Sequence, residues 1–188
     1  MLSHLTYTGT ETLDGATLDR LPESVQNVLK QVNGFIYREG IFHFRGAVAS
    51  PEWHSLNSVL KGKMALSNLF SSLEDTDIPF GQDCVGDQFF LRGETVFKLF
   101  AETDEVESLG FNLEEFLDEI EKDPLEILSP EPLLQLHQEG KKLEPGQIIH
   151  VYPPFCTKEA AEGVSLNPVP LEEGLMFLAD FARQLSGS

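Results

Sequence analysis

The chain has 188 residues, 41% of them hydrophobic and 10% aromatic, which suits one packed domain and excludes a disordered chain. Thirteen Lys and Arg against 31 Asp and Glu leave a net charge of −18, a surface that repels nucleic acid and anionic lipid and attracts cationic partners. No apolar run approaches the roughly 18 residues of a membrane span, and Met1–Thr12 lacks a basic-then-apolar leader, so the cytoplasm is the expected compartment.

Residues 1–20 are polar and rich in Thr, and read as a weakly structured N-terminal extension. Leu21, Val25, Val28, Leu29 and Val32 recur at helical spacing, with Pro22 in the first turn and Asn33-Gly34 as a left-handed stop. Phe35 to Phe44, broken by Gly40, reads as one or two short strands. Trp53, Leu56, Val59 and Leu60 have helical spacing that Gly62 interrupts. Gln88–Arg92 and Thr95–Phe100 are aromatic and β-branched, and Gly93-Glu94 between them suits a type II′ turn, which predicts a central hairpin. Its weak polar–apolar alternation implies that both faces are covered, with Phe90 or Phe97 fully buried.

Asn112 and Glu115 predict a capping box that opens a helix over residues 113–122, with Phe111 placed to staple onto Phe116. Leu113, Phe116, Leu117 and Ile120 then share an inward stripe, Glu114, Asp118 and Glu121 share the outward face, and Asp123-Pro124 ends the helix. Beyond it, Ser129-Pro130 opens a short helix closed by Gly140, Gln147 to Tyr152 reads as a strand, and Leu171 to Leu185 as a final amphipathic helix. The fold class that follows is α+β, a mostly antiparallel sheet with a central hairpin packed against helices.

The glycines of Gly81-Gln82-Asp83-Cys84-Val85-Gly86 have the spacing of a phosphate loop, but Asp87 and Gln88 stand where Lys and Ser or Thr are needed. The better reading is a tight loop in which Asp83 and Asp87 cap backbone amides. Neither these aspartates nor the five histidines have the spacing of a metal site, so no metal and no cofactor are expected. Cys84 and Cys156 form no Cys-x-x-Cys pair and no disulfide framework; Cys84, with acids for neighbours, reads as a small buried hydrophobe. Between Glu102 and Glu131 the charge is almost wholly acidic, with Lys122 alone opposing it, and this one-sign surface favours steering of a cationic protein. Glu114, Asp118, Glu121, Asp83 and Asp87 are the expected partner-binding residues.

The order of these pieces resembles the SUKH superfamily of Smi/Knr-type proteins. Leu21-Pro22 opening a helix that ends at Asn33-Gly34, then Trp53, then Pro79–Asp83 with Gly86–Leu91, and the closing Val96–Leu99 strand and Phe111–Ile120 helix carry the resemblance across residues 20–123. It implies a SUKH-like domain over 21–123, with 124–188 as a C-terminal extension packing on it. It further implies a non-catalytic role, above all that of a bacterial immunity protein neutralising a toxin such as a nuclease. Two other classes stay open: a hydrolase or small-ligand enzyme in a cleft between the main domain and the C-terminal unit, and a regulatory scaffold or adaptor, with a homodimer allowed.

Overall fold

The computed structural model describes residues 3–187. Its elements run β1 (Leu5–Thr8), α1 (Gly15–Leu18), α2 (Glu23–Gln31), β2 (Phe35–Tyr37), β3 (Phe42–Phe44), α3 (Leu56–Leu60) and α4 (Leu66–Leu69). There follow β4 (Ile78–Asp83), β5 (Gln88–Arg92), β6 (Thr95–Phe100), β7 (Glu105–Ser108) and α5 (Leu113–Lys122). The chain closes with α6 (Pro124–Ile127), α7 (Glu131–Gln138), β8 (Gln147–Tyr152), β9 (Ser165–Pro170) and α8 (Leu171–Ser186). Strands β1 to β7 form one antiparallel meander whose spatial order is the sequence order, and β8 and β9 form a separate two-stranded ribbon. The fold is α+β, as the sequence implies.

The β5–β6 hairpin stands near the middle of the large sheet, in register from Gln88↔Leu99 to Arg92↔Thr95. Gly93 has φ +65° while Glu94 keeps a negative φ, which is the II′ pattern. The sheet is covered on both faces. Phe89, Leu91 and Val96 join Phe42, Phe44, Phe80, Phe116 and residues of α2 on one side. Phe90 and Leu99 meet Ile148, Leu171, Leu175 and Leu178 of the C-terminal elements on the other. Phe90 is fully buried and Phe97 only partly so.

Helix α5 forms as its signals dictate. Asn112 N–H donates to Glu115 Oε2 at 2.9 Å, and Glu115 N–H donates back to Asn112 Oδ1 at 3.0 Å. Leu113, Phe116 and Ile120 are its buried stripe.

Two expectations are corrected. Residues 3–20 are not weakly structured: β1 is the edge strand paired with β2, and Asp14 caps α1 through the Ala16 N–H. Asn33 helps hold this segment, donating from its amide to the Thr10 and Thr12 carbonyls. The glycine-rich stretch is not one loop, because Gly81 to Asp83 belong to β4 and the turn begins only at Cys84. The acidic stretch after Phe100 contains strand β7. No helix among the described residues is long and apolar enough to cross a membrane.

Candidate functional site

The five acidic residues singled out by the sequence fall in two places. Asp83 and Asp87 bracket the β4–β5 turn in the interior. Asp83 Oδ1 accepts from the amides of Val85, Gly86 and Asp87 at 3.0–3.1 Å, while Asp87 accepts from Ala101 N–H at 2.9 Å. The amides a phosphate would need at this turn are therefore already engaged. Lys98, opposite Phe89 on β6, bridges the two carboxylates at 3.3 and 3.1 Å between the rings of Phe89 and Phe100.

Burial, and then the Asp87 charge, raise the pKa of Asp83 to about 7, against the pull of Lys98 and the amides. Burial works against the Lys98 charge too, but its two carboxylates overcome it and leave its pKa above the ordinary value. With 2% of its surface exposed, Asp83 has no face left for a partner. Cys84, beside it, is buried, and burial with the Asp83 charge pushes its thiol far up, which makes it a poor nucleophile.

Glu114, Asp118 and Glu121 lie elsewhere, along one wall of a groove of about 420 Å³ between α2 and α5. Its floor is apolar, with Leu5, Val28, Val32, Leu113 and Leu117, and its other wall is neutral, with Ser24, Asn27 and Gln31. Glu114 and Asp118 are exposed and, among the described residues, have no ion pair. Glu121 is half-buried and structural as well, accepting from the Ser3 amide at 3.1 Å and from its hydroxyl, which keeps its carboxyl below the usual range. A second acidic hollow of about 610 Å³ gathers Asp87, Glu102, Glu105 and Glu131 around Phe100 and Phe155. There Glu102 pins the Phe155 and Cys156 amides at 3.0 Å.

Sequence reasoning missed a third place, a cavity of about 420 Å³ between the sheet and the segment joining α7 to β8. Its floor includes His43 and Gln82, directly opposite each other on β3 and β4. His43 Nε2 lies 2.8 Å from His54 Nδ1, and His54 Nε2 lies 3.1 Å from the Asn33 carbonyl. Backbone closes around His54 at three glycines: a Cβ at Gly9, Gly34 or Gly46 would sit within 3.0 Å of its ring. Burial holds both rings neutral, His54 down to about 4 and His43 well below its usual value.

Beside them Arg45 is fully buried, without a carboxylate partner among the described residues, and burial pulls it down to about 9. Its Nη1 donates to the Pro79 and Gly81 carbonyls and its Nη2 to the side-chain oxygens of Gln82 and Gln88. A signal for this network existed in the sequence. In Phe42-His43-Phe44-Arg45 the polar residues alternate with aromatic ones, which puts them all on one sheet face.

Titration distinguishes these groups. The unfolded chain protonates His54 near 6.5 and the folded one only near 4, so acidification between those values favours unfolding through this residue. Asp83 has the opposite sign: the folded chain takes its proton near 7 and the unfolded one near 3.8, so its share of stability is lost as pH rises between them. In nitrogen-detected NMR both His43 and His54 are expected to stay neutral to well below pH 6.5. A transition of either ring near 6.5 would contradict the buried pair.

No family model matches the chain, and no curated protein matches it. Among solved structures it is similar to Atu4351 from Agrobacterium tumefaciens, at a TM-score of 0.58 and 13% identity, over 93% of this chain and 85% of that one. At that identity the likeness shows a shared fold.

Proposed function

We propose that the chain is a non-catalytic protein-binding module, and that the α2–α5 groove receives a basic amphipathic helix of its partner. One observation carries the reading: an apolar floor runs beside a wall of three carboxylates, two of them unpaired, and faces a neutral wall. A partner helix with an apolar stripe flanked on one side by Lys or Arg complements that asymmetry in one orientation. The resemblance to SUKH immunity proteins suggests that the partner is a toxin, and a basic nuclease has the charge the groove would attract. A net charge of −18 supports long-range steering of such a protein in the cytoplasm.

The test is association kinetics with two designed helical peptides that share a leucine stripe, one flanked by lysines and the other by glutamates. The lysine peptide is expected to bind, with an on-rate that falls steeply with salt while the off-rate changes little. Glu114→Lys with Asp118→Lys is expected to slow its association by about tenfold or more. Both sites are exposed, so stability should change by only about 0.5 kcal/mol each. Glu121 is left in place because it anchors Ser3. Equal binding of the two peptides, or indifference to the double reversal, would refute the groove.

A further inference from the structure

We infer that the cavity between β3–β4 and the α7–β8 segment binds a small neutral molecule with an amide-type edge, one acceptor beside one N–H donor. Nucleobases and primary carboxamides share that chemistry. The inference is independent of the groove and rests on two atoms whose roles are fixed from the far side.

A carbonyl only accepts, so His54 Nε2 must carry the proton that reaches the Asn33 oxygen. In a neutral ring that leaves His54 Nδ1 as a lone pair. The 2.8 Å contact with His43 Nε2 then requires the proton to sit on His43 Nε2. His43 Nδ1 is thus left as a bare acceptor. Gln82 is set in the same way. The Arg45 guanidinium has only donors, so it turns the Gln82 side-chain oxygen toward itself and the NH₂ group away.

Neither His43 Nδ1 nor Gln82 Nε2 has a protein partner among the described residues. Among the described residues, the one fully enclosed side-chain polar atom without a partner is Arg45 Nε. The two atoms therefore open onto space, and their residues both line this cavity. As cross-strand neighbours with side chains on the same face, they present an acceptor and a donor side by side. Gln82 is 2% exposed and His43 7%, so these two atoms meet solvent only through the cavity, and a ligand that satisfies both takes the place of the water there.

The lining is mixed in charge, with Lys141 and Lys142 against Glu39 and Glu144, and with Asp83 tied to Lys98. Lys141 is in any case committed to Glu139 and the Leu166 carbonyl. An ionised carboxylate offers His43 Nδ1 no donor, which leaves the neutral amide-type edge. A volume of about 420 Å³ lies within the usual range for small-molecule sites.

The experiment is NMR titration of the full chain with uracil, cytosine and benzamide, and with N,N-dimethylbenzamide as the donorless control. At least one of the first three is expected to shift both the Gln82 side-chain amide and the His43 Nδ1 signals at millimolar concentration. The control is expected to bind at least tenfold more weakly than benzamide. Tighter binding of a pyrimidine than of benzamide marks the site as one for nucleobases, and the reverse order as one for carboxamides. Gln82→Met, which keeps the length and loses the donor, should weaken the best of them about tenfold or more. Absence of any shift, or equal binding of the dimethylated control by the wild-type chain, overturns the inference.

Discussion

Lys98→Met is expected to destabilise the fold by about 3–5 kcal/mol, because it strands two carboxylates in the interior with no cation between them. In the native chain Lys98 is the ion-pair partner of both Asp83 and Asp87, and all three side chains are at most 14% exposed. The loss should also depend on pH. Asp83 already holds its proton more tightly than an unfolded aspartate, and removing the cation raises its pKa further. A group with a raised folded pKa contributes stability at low pH and loses it as pH rises. Urea denaturation should therefore show a small deficit near pH 4 that grows toward neutrality, and Asp83→Asn in the same background should recover part of it. A deficit of about 1 kcal/mol or less, constant with pH, would mean that the pair behaves like a surface one.

Phe116→Ala is expected to cost a further 3–5 kcal/mol or so, measured the same way. Its ring is fully buried and lies 5.1–5.7 Å from those of Phe42, Phe80 and Phe89, which belong to three different strands. No other side chain of α5 makes so many ring contacts with the sheet, so its loss also loosens the helix that carries Glu114 and Asp118. Phe155→Ala is the control: at 46% exposure it should change stability far less.

What the sequence revealed follows from how local each signal was. The capping box at Asn112, the Gly93 turn and the stripe of α8 act within a few residues, and each element stands where its signal put it. Strands β4 and β9 were illegible because Pro79, Gly81, Pro168 and Pro170 read as turn residues, and only neighbouring strands make them extended. Strand β7 lies in an acidic run, where Val106 is the one apolar residue of the four and gives no alternation to read. The α5 wall of the groove was foreseeable, since helical spacing alone puts Glu114 and Asp118 together. Its floor was not, because Leu5 and Val28 arrive from β1 and α2. The His43–His54 pair joins residues eleven apart through a shared face, and no spacing rule connects them.

A meander of seven strands ends in two free edges, and an edge strand is a template on which another chain can grow. At β7 that edge is Glu105-Val106-Glu107-Ser108, with both glutamates exposed. A second copy adding its own β7 there, antiparallel with Val106 facing Val106, would bring Glu105 opposite Glu107 across the new pair, an arrangement that costs free energy. The acidity that would attract a basic partner thus also guards this edge against sheet-to-sheet aggregation. Evolving a neutral β7 would remove that guard even if every contact in the core survived.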